Sequence, residues 1–336
     1  MMTPNKVHKI AVLGLKRIGD AIYTLPIFEA LKQRYPEAII EVFSEPQVKD
    51  IYLANPFIDQ LHVYSKKVFW RFCLADLKGA DFDACIVLHN AFKYALLPFI
   101  AEVPVRIGYE KELRSFLLTH HLPLSKTVVH RLEHNARLAD FLGVNSRLIL
   151  PQLYFSQDEL GTTDDLLLKH QLSEKAYVAF IVGSISPTRR WFPNNFAQVA
   201  LNITLKLGLK VVILGGPDDI DLANQVKGLC SENDAVINLA GQTTLRETLF
   251  LFKASKAVVT NDTGPMHAAS AIGVPVVTWF GAANEAEIAP PSPLTTVLNA
   301  KVFCSPCVKE RCPYQLECLS DITPEMVFKT LREKLE

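Results

Sequence analysis

The chain has 336 residues, of which 49% are hydrophobic and 21% charged. This composition is typical of globular proteins with a substantial core, and it excludes disordered and fibrous classes. Lys and Arg number 35, as do Asp and Glu, so no global field attracts nucleic acid or an anionic bilayer, and a polyanionic ligand needs a local patch. No apolar run approaches the roughly 18 residues of a membrane span, and the stretch before Lys16 is too short for a signal peptide. We therefore expect a cytoplasmic protein.

Apolar runs and helical patterns alternate from the start of the chain. Residues 10–15 form a continuous apolar run typical of a buried parallel strand, and a helical pattern to Tyr35 and a strand at 39–43 follow. This βαβ unit opens a doubly wound sheet. The first half also predicts strands at 60–63 and 84–88 and helices at 49–53, 92–100 and 131–142, whereas residues 106–122 stay unassigned.

The alternation breaks at a polar stretch, residues 151–174, and then starts again. The second half predicts strands at 177–182, 210–214, 236–239, 257–260 and 274–280, and helices at 194–207, 220–230, 245–254, 264–272 and 324–335. Thr323 and Pro324 suit the N-cap and first position of the last helix. We expect two α/β domains, 1–155 and 175–320, and a closing segment, 321–336, for which packing back on the N-terminal domain is one option. Ligands should bind where the strands end.

The turn after the first strand carries Gly19 and Asp20. Glycine lets the backbone approach a ligand, and a carboxylate here could accept a proton from a substrate hydroxyl. Asp20 could equally cap the helix and complement its dipole. The spacing of Gly14 and Gly19 is not a dinucleotide fingerprint.

The turn that opens the second half carries Ser184, Thr188, Arg189 and Arg190. Guanidinium groups bind phosphate oxygens bidentately, and a helix start adds free N–H groups. The segment therefore suits a diphosphate. The alternative is a solvated basic loop that Trp191 anchors by packing.

A later turn, residues 261–267, follows a strand and opens a helix. Thr263 and Gly264 offer a hydroxyl, unpaired N–H groups and the positive helix end, which together suit an anion. Asp262 would repel a phosphate, so contact with sugar hydroxyls or orientation of the turn is expected of it. His267 could face the phosphates or the core.

Two further groups of residues are candidate ligand sites. Asp218 and Asp219 follow a strand and could hold a ribose diol, or they could cap the next helix. Four thiols, Cys304, Cys307, Cys312 and Cys318, lie within fifteen residues and could bind Zn²⁺ or iron, although the spacing differs from common zinc motifs. Free or partly oxidised thiols are the alternative.

Four ordered motifs resemble glycosyltransferase family 9, the ADP-heptose:lipopolysaccharide heptosyltransferases, and most of all its second-heptose transferases. They are GDAIYTLPIFEALKQRYPEAIIEV (19–42), HNAFKYALLPFIAEVPVRIGYEKELRSFLLT (89–119), TRRWFPNNFAQVA (188–200) and VTNDTGPMHAASAIGVPVVTWFG (259–281). The resemblance implies a GT-B fold, in which two Rossmann-like domains flank a cleft and hold the acceptor and the nucleotide sugar. It also implies metal-independent, inverting transfer of heptose from ADP-heptose to the lipopolysaccharide inner core.

The resemblance also assigns roles to residues. Asp20 is expected to be the general base, and Arg189 stands where the family usually has a lysine at the phosphates. The turn 262–264, with Met266 and His267, would hold the diphosphate and the heptose. Asp218 or Asp219 would contact the adenosine. A patch of lysines and arginines in the N-terminal domain would suit an anionic Kdo–lipid A acceptor and peripheral contact with the inner membrane. Acidic residues are interspersed among these cations. The patch residues are Lys66, Lys67, Arg71, Lys93, Arg106, Lys111 and Arg114.

Two other functions are compatible with these residues. A heptosyltransferase that acts on an autotransporter protein is one, and the cysteine cluster keeps this alternative open. A non-catalytic nucleotide-sugar-binding protein is the other. No catalytic cofactor and no nucleic acid partner are expected in either case.

Overall fold

The computed structural model of the protein describes residues 7–231 and 233–336. The chain divides into a first unit that ends at Phe155 and a second unit that begins at Ser156. The prediction that no signal peptide is present concerns in part residues 1–6, which lie outside the described residues. Within the two described ranges, no helix is both long and apolar enough to cross a membrane.

The first unit is built on a six-stranded parallel sheet with the order β3-β2-β1-β4-β5-β6. Its strands are β1 (Lys9–Leu13), β2 (Ile39–Ser44), β3 (Gln60–Val63), β4 (Ala84–Val87), β5 (Val105–Glu110) and β6 (His120–Pro123). β1 lies centrally, with Ile10 in register with Ile40 of β2 on one side and Ala84 of β4 on the other. The strand order reverses between β1 and β4, as in a doubly wound fold.

The helices of this unit lie between or after these strands, and each buries apolar side chains in the unit. They are α1 (Ile18–Ile22), α2 (Leu25–Arg34), α3 (Lys49–Tyr52), α4 (Phe69–Lys78), α5 (Phe92–Ile100) and α6 (Arg131–Ala139). The sequence predicted one helix where α1 and α2 lie. Pro26 sits at the start of α2, and a proline cannot donate a hydrogen bond to the preceding turn, so the helix is interrupted there.

The second unit repeats the architecture with the order β12-β11-β10-β7-β8-β9. Its parallel strands are β7 (Tyr177–Ile181), β8 (Lys210–Leu214), β9 (Val236–Asn238), β10 (Ala257–Thr260), β11 (Val276–Trp279) and β12 (Thr295–Leu298). Here the order reverses between β7 and β10, whose residues Val178 and Ala257 are in register. The predicted class, two Rossmann-like α/β domains, is confirmed.

Eight helices are described in the second unit. They are α7 (Gln157–Lys169), α8 (Pro193–Leu207), α9 (Ile220–Leu229), α10 (Leu245–Ala254), α11 (Gly264–Ile272), α12 (Glu285–Ile288), α13 (Glu317–Ser320) and α14 (Pro324–Leu335). Thr323 caps α14 by accepting a hydrogen bond from the Met326 amide. Val327 and Leu331 of α14 are buried in the core of the second unit, together with Trp191 and Trp279. The closing helix is therefore part of the second unit.

Candidate active site

The reversal of strand order places two polar turns of the second unit side by side. One follows β7 and contains Ser184, and the other follows β10 and contains Asp262. The Ser184 hydroxyl is buried and donates a hydrogen bond to the Asp262 carbonyl, 3.1 Å away. Crevices at such reversal points are where doubly wound sheets bind ligands. The structure thus brings together two motifs that lie 78 residues apart in the chain.

Arg189 and Asp262 form an ion pair between these two turns. Arg189 Nη1 lies 3.1 Å from Asp262 Oδ2, and the Asp262 side chain is 4% exposed against 31% for Arg189. Burial raises the pKa of Asp262 to about 6, although the positive charge of Arg189 opposes the rise. Oδ2 accepts no hydrogen bond from the described residues. The pair therefore holds a costly buried carboxylate against a cation that is partly open to solvent.

Asn261 and Trp191 fix the backbone around this pair. The Asn261 side chain accepts a hydrogen bond from the Trp191 amide (2.9 Å) and donates one to the Val182 carbonyl (2.7 Å). The buried Trp191 indole N–H donates to the carbonyls of Leu319 and Ile322, at 3.1 and 3.0 Å. Trp191 is thus an anchor, as the packing alternative expected. Arg189, two residues before Trp191, remains partly exposed.

Arg190 points a different way from Arg189. Its Nε donates to the Ser184 carbonyl at 2.6 Å, so this guanidinium holds the turn closed. Thr188, which is 4% exposed, donates its hydroxyl to the Lys309 carbonyl at 2.7 Å. Three side chains of this turn that were expected to bind a ligand, those of Arg190, Thr188 and Ser184, instead make hydrogen bonds within the unit.

The helix α11 begins at Gly264, two residues after Asp262. Thr263 is its N-cap, but within the described part of the chain the Thr263 hydroxyl makes no capping hydrogen bond. Gly264 is the first helical residue, and Met266 and His267 are buried one turn further along. The positive end of α11 and its first N–H groups therefore lie beside the ion pair, where an anion would be stabilised.

The carboxylate of Asp219 reaches the same region from the turn after β8. A Cβ on Gly183 would lie 1.9 Å from Asp219 Oδ1, so a larger residue there would displace the Asp219 carboxylate. Asp219 also accepts a hydrogen bond from the Gly216 amide at 3.0 Å, and burial raises its pKa. Asp218 is exposed. The two carboxylates therefore differ, one packed against the β7 turn and the other open to solvent.

Asp20 lies in the first unit, in the first turn of the short helix α1. Arg17 occupies the N-cap position, so Asp20 does not cap the helix, although its charge is at the favourable end of the helix. Asp20 and Gly19 are both half-buried. The Asp20 charge adds to the effect of burial in raising the pKa of Tyr52 to about 12, which places the carboxylate near that hydroxyl.

Sequence reasoning missed a polar cluster at the strand ends of the first unit. Lys16 Nζ lies 2.9 Å from Glu45 Oε1, and the Tyr94 hydroxyl donates to the same carboxylate oxygen at 3.2 Å. His89 stacks on Tyr94 with ring centroids 4.1 Å apart, and burial, reinforced by the Lys16 charge, lowers the pKa of His89 to about 4. The fully buried Arg114 donates to the His89 carbonyl. The positions of Lys16, Glu45 and His89 just after strands were the available signal.

The four clustered cysteines surround one small cavity of about 20 Å³, room for one water-sized sphere. Burial raises the pKa of the Cys318 thiol to about 11, and the neighbouring thiols add to the rise. Among the described residues, no group of three or more His, Cys, Asp or Glu side chains is arranged to hold a metal ion. Zinc needs thiolates directed at one point roughly 2.3 Å away, and lining a cavity does not meet that demand. The expected zinc or iron site at Cys304, Cys307, Cys312 and Cys318 is therefore not supported.

Known proteins resemble the chain over most of its length. The sequence model of glycosyltransferase family 9 (heptosyltransferase) matches residues 71–317. Lipopolysaccharide heptosyltransferase 2 of Salmonella typhimurium is 31% identical, over 97% of this chain and 98% of that protein. The structure of Escherichia coli ADP-heptose lipopolysaccharide heptosyltransferase II superposes with a TM-score of 0.84 at 29% identity, covering 97% of this chain and 98% of that one. A family 9 glycosyltransferase from Veillonella parvula superposes with a TM-score of 0.85 at 24% identity, over 98% and 97% of the two chains, and shares the fold.

Proposed function

Because the chain belongs to glycosyltransferase family 9, the heptosyltransferases, we propose that it transfers heptose from ADP-heptose to the inner core of lipopolysaccharide, with inversion at the anomeric carbon and without a metal. The names of the relatives support the donor and the acceptor. The observation that carries the proposal is the second unit's cationic pocket, where the partly exposed Arg189 lies at the start of α11.

The pocket suits a departing nucleoside diphosphate. Cleavage of the bond between the sugar and ADP leaves negative charge on the β-phosphate. A positioned cation and a helix N-terminus stabilise such charge without reorganising when the bond breaks. Arg189 and the Thr263–Gly264 start of α11 supply both. Asp262 orients the guanidinium and is available to sugar hydroxyls, and Asp219 is available to the adenosine.

We propose Asp20 of the first unit as the general base that removes the proton from the acceptor hydroxyl. A half-buried carboxylate in the first turn of the helix that follows β1 is suited to that task. Asp20→Asn keeps the shape and removes the basicity, so turnover, followed as ADP release, should fall at least about 100-fold while ADP still binds. Asp81→Asn, a change at an exposed carboxylate of the same unit, is the matched control. Undiminished turnover in Asp20→Asn would remove the base assignment.

The metal-free part of the proposal has its own test. The cation and the helix end take the role that a divalent ion has in other transferases. Turnover should therefore be unchanged after treatment with EDTA. Loss of turnover in EDTA that Mg²⁺ or Mn²⁺ restores would show that the reaction needs a metal.

The acceptor proposed above is a lipid, and we also propose peripheral contact with an anionic membrane. The first turn of α4 and the residues just before it, together 66–72, support this contact. They expose three cations and three apolar side chains, which are Lys66, Lys67, Arg71, Val68 (37% exposed), Trp70 (36%) and Phe72 (47%). Basic residues are drawn to anionic headgroups, and aromatic rings insert at the interface.

Vesicle sedimentation tests this contact directly. The protein should bind vesicles that contain phosphatidylglycerol and bind pure phosphatidylcholine vesicles far less. The double variant Trp70→Ala and Arg71→Glu should lose most of the binding. The control is Leu168→Ala with Lys169→Glu, an exposed Leu–Lys pair on α7. Equal binding by both double variants would exclude the α4 segment as the docking surface.

A further inference from the structure

The cysteine segment, residues 304–318, packs directly on the turn that carries Arg189. Thr188 immediately precedes Arg189, and its hydroxyl donates to the backbone carbonyl of Lys309 within this segment, at 2.7 Å. Thr188, Lys309 and all four cysteines line the same small cavity. A segment more than a hundred residues away in the chain therefore touches the arginine turn of the pocket.

The other side of the cysteine segment is fixed to the end of β11. The Ser305 hydroxyl donates to the Gly281 carbonyl at 2.6 Å, and the Val308 amide donates to the Ala282 carbonyl at 2.7 Å. Cys318 packs so closely on Gly281 that a Cβ there would lie 2.6 Å from its Sγ. The segment is thus attached to the sheet of the second unit, and from there it reaches Thr188.

We propose that the cysteine segment positions Arg189 for the donor diphosphate, and that Thr188 is the positioning residue through which it acts. The inference rests on the proposed function, because it assigns the role of the segment in that same pocket. The Arg189 side chain is 31% exposed, and its ion pair with Asp262 acts at the end of a long flexible side chain, so the pair does not fix the backbone by itself. The hydrogen bond from the buried Thr188 side chain restrains the residue next to it, and a restrained cation loses less entropy when it binds a phosphate.

Three variants test the role of Thr188 by calorimetry with ADP and with adenosine. Thr188→Val keeps the shape and removes the donor, so the affinity for ADP should fall about five- to tenfold, as expected for a lost hydrogen bond. The affinity for adenosine, which has no phosphate, should not change. Thr188→Ser keeps the donor and should bind ADP like the parent. Thr204→Val, which removes a similar hydroxyl-to-carbonyl bond on α8, is the matched control.

Each outcome decides between positioning and a general structural role. Equal ADP affinity in Thr188→Val and the parent overturns the proposal. Equal weakening of ADP and adenosine, or a Thr188→Ser variant as weak as Thr188→Val, assigns Thr188 a structural role only. If the parent protein does not bind ADP at all, the proposed function fails first, and this result is distinct from the others.

Alkylation of the folded protein provides a second test that does not depend on the folding of a variant. A cysteine thiolate adds to the double bond of N-ethylmaleimide, forming a carbon–sulfur bond, and the adjacent carbon takes up a proton. Cys304, Cys307 and Cys312 are half-exposed, whereas Cys73, Cys85 and Cys230 are buried, so mass spectrometry should find the label on the first three. Added bulk in the cavity should displace Lys309 and weaken ADP binding at least fivefold. Labelling at these thiols without any loss of ADP affinity would contradict the proposal.

Discussion

Replacing Asp262 with asparagine should change how stability depends on pH. Burial raises the pKa of this carboxyl from 3.8 to about 6. Between these two values the folded protein keeps a proton that the unfolded chain has lost, so the free energy of unfolding falls as pH rises. The decrease is about 1.4 kcal/mol per pH unit within that window. Asp262→Asn has no such proton, so its stability relative to the parent should be about 2–3 kcal/mol more favourable at pH 7 than at pH 4.

Urea unfolding at the two pH values measures this difference. Trp191 and Trp279 are buried in the second unit, and Trp70 belongs to the first. A Trp70→Phe background therefore confines the fluorescence signal to the unit that contains Asp262. Comparing one variant at two pH values cancels any constant effect of the asparagine amide. An identical pH dependence in both proteins would refute the conclusion that Asp262 is a buried carboxylate that destabilises the fold when charged.

Three further predictions concern the same pocket. Gly183→Ala should lower the free energy of unfolding and the affinity for ADP, because its methyl group would collide with Asp219, 1.9 Å away. The control is Gly161→Ala, whose methyl group would have nothing within 4 Å. This helix variant should gain roughly 0.5–1 kcal/mol in urea unfolding. Trp191→Phe should lose about 2–4 kcal/mol in the same assay, because two buried carbonyls lose their donor; unchanged stability would argue against the anchor. Measured by calorimetry, ADP should bind the parent more tightly at pH 6 than at pH 8, since protonating Asp262, whose pKa burial raises to about 6, removes a negative charge that repels the phosphates, and Asp262→Asn should lack this component.

Strands with continuous apolar runs could be predicted from sequence because burial on both faces leaves a local signal. The β10 prediction, 257–260, coincides with the strand. The helix α7 was missed within a polar stretch, although Ser156 and Glu159 form a capping box at its start. The strand β12 was also missed, since its four residues are all half-buried and carry no clear periodicity.

The composition of the pocket was easier to predict than its internal contacts. Turns after strands identified Arg189 and Asp262, because the carboxyl ends of parallel strands share one edge. Their pairing could not be predicted, since it joins residues far apart in the chain. The same holds for the carbonyl of Lys309, which receives Thr188. The assignment of Arg114 to the basic acceptor patch was wrong, because its guanidinium is fully buried and donates to backbone carbonyls, and a charged residue in that stretch of sequence gave no sign of burial.

The most direct measurement follows ADP release when the protein is incubated with ADP-heptose and a series of truncated lipopolysaccharide cores. The account predicts that ADP appears only with an acceptor of the inner-core type, in equal amount to a heptosylated product whose anomeric configuration is opposite to that of the donor. A product with the donor's configuration, or no transfer to any core, would contradict it.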